Sequence, residues 1–218
     1  MAEEQTFREI VQKVVEERHI RCLYHYTNIA NLNEILWNGI LSQEQLERRG
    51  IDHHSNDPDR LDGQLDGISL SVGFPNYKTF YLKRKNAESD PRVPQEWAVL
   101  ALRPELLWEL PCAFNASNAA SRRMTDIPLE ERQRPEAFGR MFEDLPDHKR
   151  SAMTADWQTT DPQAEVLVFG AIPPQYILYA NVESEDAKNS PYIPDAMRDE
   201  LRVYPKLFQP RDDWKDWR

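Results

Sequence analysis

Apolar residues recur at helical spacing from Glu4 to His19, with Phe7, Ile10, Val11, Val14 and Val15 on one face. The chain should therefore open with an amphipathic helix that packs on a core. Ile20 to Tyr26 predicts a first strand, ending in the aromatic-rich run Leu23-Tyr24-His25-Tyr26. After a turn at Thr27-Asn28 the period becomes helical. Ile29, Leu32, Ile35 and Leu36 share a face, and Gly39 stands where a left-handed stop is wanted. Asn31 followed by Glu34 has the spacing of a capping box, with Thr27 and Asn28 as alternative caps. Ser42 with Gln45 caps a second short helix, Gln43 to Arg49, which stops at Gly50.

Ile51 to Asp66 is too polar for core and reads as a loop. Ile68 to Val72 alternates, with Ile68, Leu70 and Val72 on one face and Ser69 and Ser71 on the other. Gly73 to Asn76 is a turn signal, and Pro75 suits the first turn of a helix running to about Lys85. A proline-containing linker, Glu88 to Gln95, leads to a buried strand at Glu96 to Leu102 and a short helix opened by Pro104. Cys112 to Phe114 predicts another short strand. Asn115 to Thr160 is the least regular part, with a helical piece at Pro135 to Phe142. Val166 to Phe169 is a continuous apolar run, the kind of strand buried on both faces. Pro173-Pro174 breaks the chain before a final strand, Tyr176 to Val182. Ser184 to Arg218 is charged but carries enough apolar residues to pack back as a helix and an extended tail.

Composition narrows the chemistry. The chain has 218 residues, only seven of them glycine, and no GxGxxG or GxxxxGKS pattern, which argues against a Rossmann or P-loop nucleotide site. Two cysteines, Cys22 and Cys112, provide neither a disulfide framework nor a cysteine zinc site and fit a reducing cytoplasm. Met1 to Gln12 is not a signal peptide, and no apolar run is long enough to span a bilayer, so no membrane partner is expected. The net charge of −10 has the wrong sign for a general nucleic-acid binder, but its distribution is uneven. Ile68 to Ala87 has no acidic residue and interleaves Lys78, Lys83, Arg84 and Lys85 with Phe74, Tyr77, Phe80 and Tyr81. Arg122 and Arg123 add a second basic point, inside a segment whose charges otherwise nearly balance.

Four places carry candidate chemistry. His25 and Thr27 lie at a strand end just before a helix N-terminus, where backbone N–H groups favour an anionic or strongly polar ligand. By itself His25 reads as a strand-end histidine bonded within the sheet. Arg60, in the polar loop, has a fork suited to pyrophosphate or carboxylate; a solvated loop arginine is the competing reading. His53 and His54 are adjacent and show no ordered ligand spacing, so no metal is expected. Phe74, Tyr77 and Tyr81 at a strand-to-helix junction either fill core or stack on a flat ring. Glu165 stands at the entrance of a buried strand, where a carboxylate is costly unless it lies at the rim, is paired, or is functional.

Taken in order, a strand ending in His25-Tyr26-Thr27, the Arg60 loop, a serine-rich strand followed by aromatics, and a late strand opened by Glu165 resemble the split-sheet ADP-ribosyltransferase fold. More narrowly the chain resembles the DarT family of nucleic-acid-base ADP-ribosyltransferase toxins. LYHYTNIANLNEILWNGILS at Leu23 to Ser42, the Arg60 loop, ISLSVGFPNYKTFYLKRK at Ile68 to Lys85 and QAEVLVFGAIPPQYI at Gln163 to Ile177 carry the likeness. It implies one α+β domain over residues 1–218, with a split β-sheet core at about 20–182, an N-terminal helix at 4–19 and a C-terminal extension at 184–218. It implies NAD+ as substrate and no metal. His25, Tyr26, Thr27, Asn33, Ser69, Ser71, Phe74, Tyr77 and Tyr81 would meet NAD+. Arg60 would bind its pyrophosphate or brace the reacting site, and Glu165 would be the catalytic glutamate.

Lys78, Lys83, Arg84, Arg122 and Arg123 are the candidates for holding nucleic acid. The expected partners are single-stranded DNA first, single-stranded RNA second, and a macrodomain-type or other antitoxin in a toxin–antitoxin or anti-phage system. The run after the Arg60 loop is shorter and less aromatic than in thymidine-modifying members and looks closer to the guanosine-modifying branch, which puts guanine ahead of thymine. A protein or small-molecule acceptor, and a catalytically silent binding module, are the competing functions.

Overall fold

The structure, a computed structural model, describes residues 2–51, 53–54, 63–90 and 92–217. The elements in chain order are α1 (Ala2–Glu17), β1 (Leu23–Asn28), α2 (Leu32–Asn38), β2 (Ile40–Leu41), α3 (Gln43–Arg49), β3 (Gly67–Val72), α4 (Tyr77–Ala87), β4 (Trp97–Leu102), α5 (Leu106–Glu109), β5 (Cys112–Asn115), α6 (Arg122–Thr125), α7 (Leu129–Arg132), α8 (Pro135–Arg140), β6 (Glu165–Phe169), β7 (Ala171–Ile172), β8 (Ile177–Val182), α9 (Glu185–Lys188), α10 (Asp195–Arg198) and β9 (Arg202–Val203).

Burial follows the apolar patterns. In α1 the stripe is real: Val11 and Val15 are buried, and Phe7 and Val14 pack on the same core. Phe7 stacks on Phe114 of β5, with ring centroids 6.4 Å apart. Ile68, Leu70 and Val72 of β3 enter the core as their alternation requires. In β6 Val166, Leu167 and Val168 are fully buried, but on two sides: Val166 and Val168 join the main core, while Leu167 packs with Ala113 and Ala119. Burial on both faces explains the continuous apolar run.

Among the described residues seven strands form one sheet in the order β5-β6-β3-β1-β4-β8-β9. Every pairing is antiparallel except that of β8 with β9. The fold is thus α+β, with helices flanking a mostly antiparallel sheet. A separate two-stranded ribbon joins β2 to β7, Ile40 opposite Ile172 and Leu41 opposite Ala171. Two-residue strands leave no periodicity to read, so neither is visible in the sequence.

Three local expectations change. The capping role lies with Asn28, whose side chain accepts from the Ala30 N–H ahead of a 3-10 turn, while Asn31 makes no capping bond. α4 starts after Asn76, which accepts from the Thr79 N–H, so Pro75 lies before the helix and not in its first turn. The C-terminal segment is a series of short helices and turns plus β9, with no long helix. Among the described residues no helix is long and apolar enough to cross a membrane.

Both cysteines are free and buried. Burial alone pushes the Cys112 thiol well above its usual value. The reactive species is the thiolate. Iodoacetamide at pH 8 is therefore expected to leave Cys112 unmodified in the native protein and to label it in denaturant, read by peptide mass spectrometry. Rapid native labelling of Cys112 would contradict the packing described.

Candidate active site

The sheet forks between β1 and β3. β1 pairs with β4 along its whole length, from Leu23 with Leu102 to Asn28 with Trp97. Against β3 it pairs only twice, Leu23 with Val72 and Tyr24 with Ser71. β3 follows β6 instead, from Gly67 with Phe169 to Leu70 with Val166. Beyond Tyr24 the two strands part, and their facing backbone groups leave the ladder there. The fork opens onto a cavity of about 330 Å³. One residue past the last β3–β6 pair, Ser71 comes level with Glu165, so the late glutamate and the first strand meet at the crotch of the fork.

His25 is the first residue past the fork. Its Nδ1 lies 3.0 Å from the Ser69 carbonyl oxygen across the gap. A carbonyl oxygen only accepts, so Nδ1 carries the proton, and in the neutral ring Nε2 is the acceptor nitrogen. This bond sets the orientation of the imidazole on the cavity wall.

Thr27 is buried, and its hydroxyl oxygen accepts from Asn31 Nδ2 at 3.1 Å. Asn31 also grips His54 on both sides of the backbone: Nδ2 donates to the His54 carbonyl and Oδ1 accepts from the His54 N–H, each at 2.9 Å. One side chain thus ties the end of β1 to the start of the polar loop. His53 and His54 then line the cavity. Replacing Asn31 with alanine should release the His54 amide, so that its hydrogen exchange becomes fast in the folded protein. Unchanged protection at that amide would contradict this bridge.

Glu165, half-buried, opens β6 opposite Asn115. Its Oε1 accepts from the Ala119 N–H at 2.6 Å. Its own carbonyl accepts from Asn115 Nδ2 at 3.2 Å, and Asn115 Oδ1 accepts from Nη1 of the buried Arg132 at 2.8 Å. The carboxylate therefore projects from a strand end braced on both the main-chain and side-chain sides.

The apolar part of the cavity comes from Ile35, Ile40, Leu41, Leu46 and Ile51, so one region is suited to a flat ring or ribose edge and the other to polar groups. Ser42 caps α3 by accepting from the Gln45 N–H, and its hydroxyl donates to Asp66 at 2.9 Å, fixing the far wall. Lys83 is the one lysine or arginine among the described lining residues.

The cavity brings together His25, Tyr26, Thr27, Ser69, Ser71, Lys83 and Glu165. Tyr26 lines it while also stacking on Phe80, centroids 4.7 Å apart. The Ser71 hydroxyl accepts from the Asn76 N–H, so it shapes the turn into α4. Arg60 lies outside the described residues. Four expected NAD+ contacts do not line the cavity. Asn33 is on α2, but that helix turns Asn31, Glu34 and Ile35 to the cavity, a spacing of three and four that points Asn33 elsewhere. α4 likewise presents Asn76, Thr79 and Lys83. Phe74 packs instead with Phe80 and Trp97, and Tyr81 faces solvent. The Tyr77 hydroxyl is buried away from the cavity, and burial, reinforced by Asp213, pushes its pKa up to about 12.

Two of the basic candidates also change role. Lys78 donates to the Trp217 carbonyl at 3.0 Å. Arg84 pairs with Glu183, donates to the Phe208 carbonyl, and lies over the Phe80 and Phe208 rings. Both hold the C-terminal segment down, which the basic composition of α4 did not reveal. Arg122 is exposed, and Arg123 pairs with Asp147 at 2.6 Å; they flank the turn that carries Ala119. Asn31 was missed as a site residue because its spacing from Glu34 is also that of a cap. The Asn115–Arg132 brace left no sequence signal at all.

A sheet split between a first-strand histidine and a late-strand glutamate is the arrangement expected of an ADP-ribosyltransferase. Residues 24–208 match the family model described as "ssDNA thymidine ADP-ribosyltransferase, DarT", and the chain belongs to this DarT family. Solved structures share the fold. Thermus sp. 2.9 DarT in complex with ADP-ribosylated ssDNA aligns with a TM-score of 0.56 at 15% identity, over 88% of this chain and 97% of that one. The same protein in complex with NAD+ gives 0.53 at 16%, over 87% and 98%. Thermosipho africanus DarTG in complex with ADP-ribose gives 0.51 at 19%, over 88% of this chain and 52% of that chain, so the chain spans about half the length of DarTG. No curated protein sequence matches the chain.

Proposed function

We propose that the protein transfers ADP-ribose from NAD+ to a nucleobase of single-stranded DNA. The observation that carries this reading is the fork of β1 and β3, which sets His25 and Glu165 on one cavity. Membership of a family described by its action on ssDNA supports the acceptor, as does the DarT relative solved with ADP-ribosylated ssDNA. The relative solved with NAD+ supports the donor.

In this reading His25 and Thr27 hold the nicotinamide ribose and carboxamide, and Ser69 and Ser71 line the same wall. Lys83 and Arg60 meet the pyrophosphate. The bond between ribose C1′ and the nicotinamide nitrogen breaks, and neutral nicotinamide leaves. Positive charge builds on the ribose, as in glycoside cleavage. The Glu165 carboxylate stabilises that charge and holds a ribose hydroxyl. A base nitrogen then bonds to C1′, and Glu165 takes its proton. The base has to be unstacked to reach this centre, so the acceptor is single-stranded. Arg122, and the exposed Tyr81 and Leu82 on α4, are the surface along which the strand runs.

Guanine is placed ahead of thymine as acceptor, on the compact run from Ile68 to Lys85. A toxin role follows from the same likeness, with an antitoxin that reverses the mark or blocks the cavity. The test offers labelled NAD+ with DNA and RNA oligonucleotides of each base, and with bulk protein. Label in guanine-containing single-stranded DNA is the expected result. Label in thymine DNA alone would overturn the base, label in RNA or protein alone the polymer, and no label anywhere the enzymatic reading.

A further inference from the structure

Arg211 and Asp213 lie beyond residues 24–208, the stretch that matches the family, yet they are among the most buried charged residues of the protein. Their ion pair is nearly solvent-free. A buried pair of this kind is costly to desolvate unless every donor and acceptor is used. Here each guanidinium nitrogen is engaged, through four of its five N–H groups: Nε donates to Asp213 Oδ1 at 2.7 Å, Nη1 to the Thr159 carbonyl at 2.8 Å, and Nη2 to the Thr160 carbonyl at 3.1 Å and to Asp213 Oδ2. Asp213 Oδ2 also accepts from the Thr154 hydroxyl at 2.6 Å. The C-terminal segment thus clasps residues 154 to 160 from behind.

The clasped segment leads to the catalytic strand. Thr159 Oγ1 donates to the Asp161 carbonyl at 2.8 Å. The Asp161 carboxylate accepts from the Ser117 hydroxyl at 2.6 Å and from the Gln163 N–H at 2.8 Å. Ser117 starts the turn whose Ala119 N–H donates to Glu165 Oε1 at 2.6 Å. The hydrogen bonds join buried or half-buried groups, the short backbone step from Ser117 to Ala119 connects them, and the path ends on the Glu165 carboxylate.

We propose that the buried Arg211–Asp213 clasp, acting through Asp161 and Ser117, positions the turn that orients the Glu165 carboxylate. Ser117, Asp161 and Arg211 are positioning residues, and none of them lines the described cavity. This rests on the ADP-ribosyltransferase reading. Residues 209–218, which lie beyond the family match, then have a definite task in catalysis.

Ser117→Ala is the sharpest variant, because it removes one hydroxyl and leaves the clasp standing; Arg211→Lys, which keeps the charge and loses the fork, is the second. Both should lower kcat for transfer to a single-stranded oligonucleotide by about tenfold, with the KM for NAD+ changed less than about twofold. A double-mutant cycle with Glu165→Gln separates positioning from general loosening. In the Glu165→Gln background Ser117→Ala should have little further effect on the residual rate. An unchanged kcat in Ser117→Ala, or the same loss in both backgrounds, would overturn the clasp while leaving the enzymatic reading intact. Absence of transfer by the unsubstituted protein would overturn that reading, and the clasp with it.

Discussion

Glu165→Ala is expected to lower the rate of ADP-ribosyl transfer by a factor of about 100 to 10,000, the range for loss of a positioned proton-transfer group. In the proposed reaction two functions would be lost together: the charge that faces the developing oxocarbenium centre and the base that removes the proton from the attacking nitrogen. The Ala119 N–H would also lose its acceptor, since Oε1 receives it at 2.6 Å. Glu165→Gln separates these effects. The glutamine oxygen still accepts from Ala119, so the local structure is kept while charge and basicity are removed. A similar loss in both variants, with melting temperatures within a few degrees of the parent, would assign the loss to charge. Rates within a few-fold of the parent in either variant would remove Glu165 from the chemistry.

Gly39→Ala should destabilise the protein by about 2 to 4 kcal/mol, because two penalties add. Gly39 has φ +81°, a conformation that residues with a Cβ adopt only under strain. The position is also crowded: a Cβ there would collide with the Ile172 backbone, its carbonyl oxygen first. Ile172 belongs to β7, which pairs with β2 immediately after Gly39. The substitution therefore presses directly on the ribbon that bears Ile40 and Leu41, two walls of the cavity. For a domain of this size the melting temperature should fall by roughly 5 to 15 °C. NAD+ affinity should weaken as well. A melting temperature within about 2 °C of the parent would show that β7 moves aside at little cost.

Much of the local structure was readable because single residues carry strong local chemistry. Ser42 and Gly50 bracket α3 by a side-chain cap and a left-handed stop, as their spacing indicated. The serine alternation in β3 put Ser69 and Ser71 on the cavity. The apolar run after Glu165 is a strand buried on both faces, with the carboxylate at its mouth. Gly39 was readable as a helix stop but not as a point of close approach, because the second requirement comes from β7, some 130 residues away.

The aromatics in and just before α4 show the limit from the other side. Phe74, Tyr77, Phe80 and Tyr81 looked alike in sequence, and only the packing sorts them: Phe80 and Phe74 to core, Tyr81 to solvent, Tyr77 toward the Arg211–Asp213 clasp. Lys78 and Arg84 suggested nucleic acid because their true partners, Trp217, Phe208 and Glu183, lie about 100 or more residues along the chain. Long-range pairing of this kind leaves no trace in local spacing. The same holds for the fork itself: nothing in Leu23 to Asn28 says that one edge of the strand pairs six times and the other only twice.

In the proposed reaction NAD+ sits in the fork between β1 and β3 with its reacting ribose against Glu165. A crystal structure of the protein with carba-NAD+, an analogue that cannot be cleaved, tests it most directly. Density is expected in the cavity, with the nicotinamide ribose within hydrogen-bonding distance of the Glu165 carboxylate and the nicotinamide end beside His25 and Thr27. Ligand bound elsewhere on the protein, with the fork empty at saturating concentration, would contradict it.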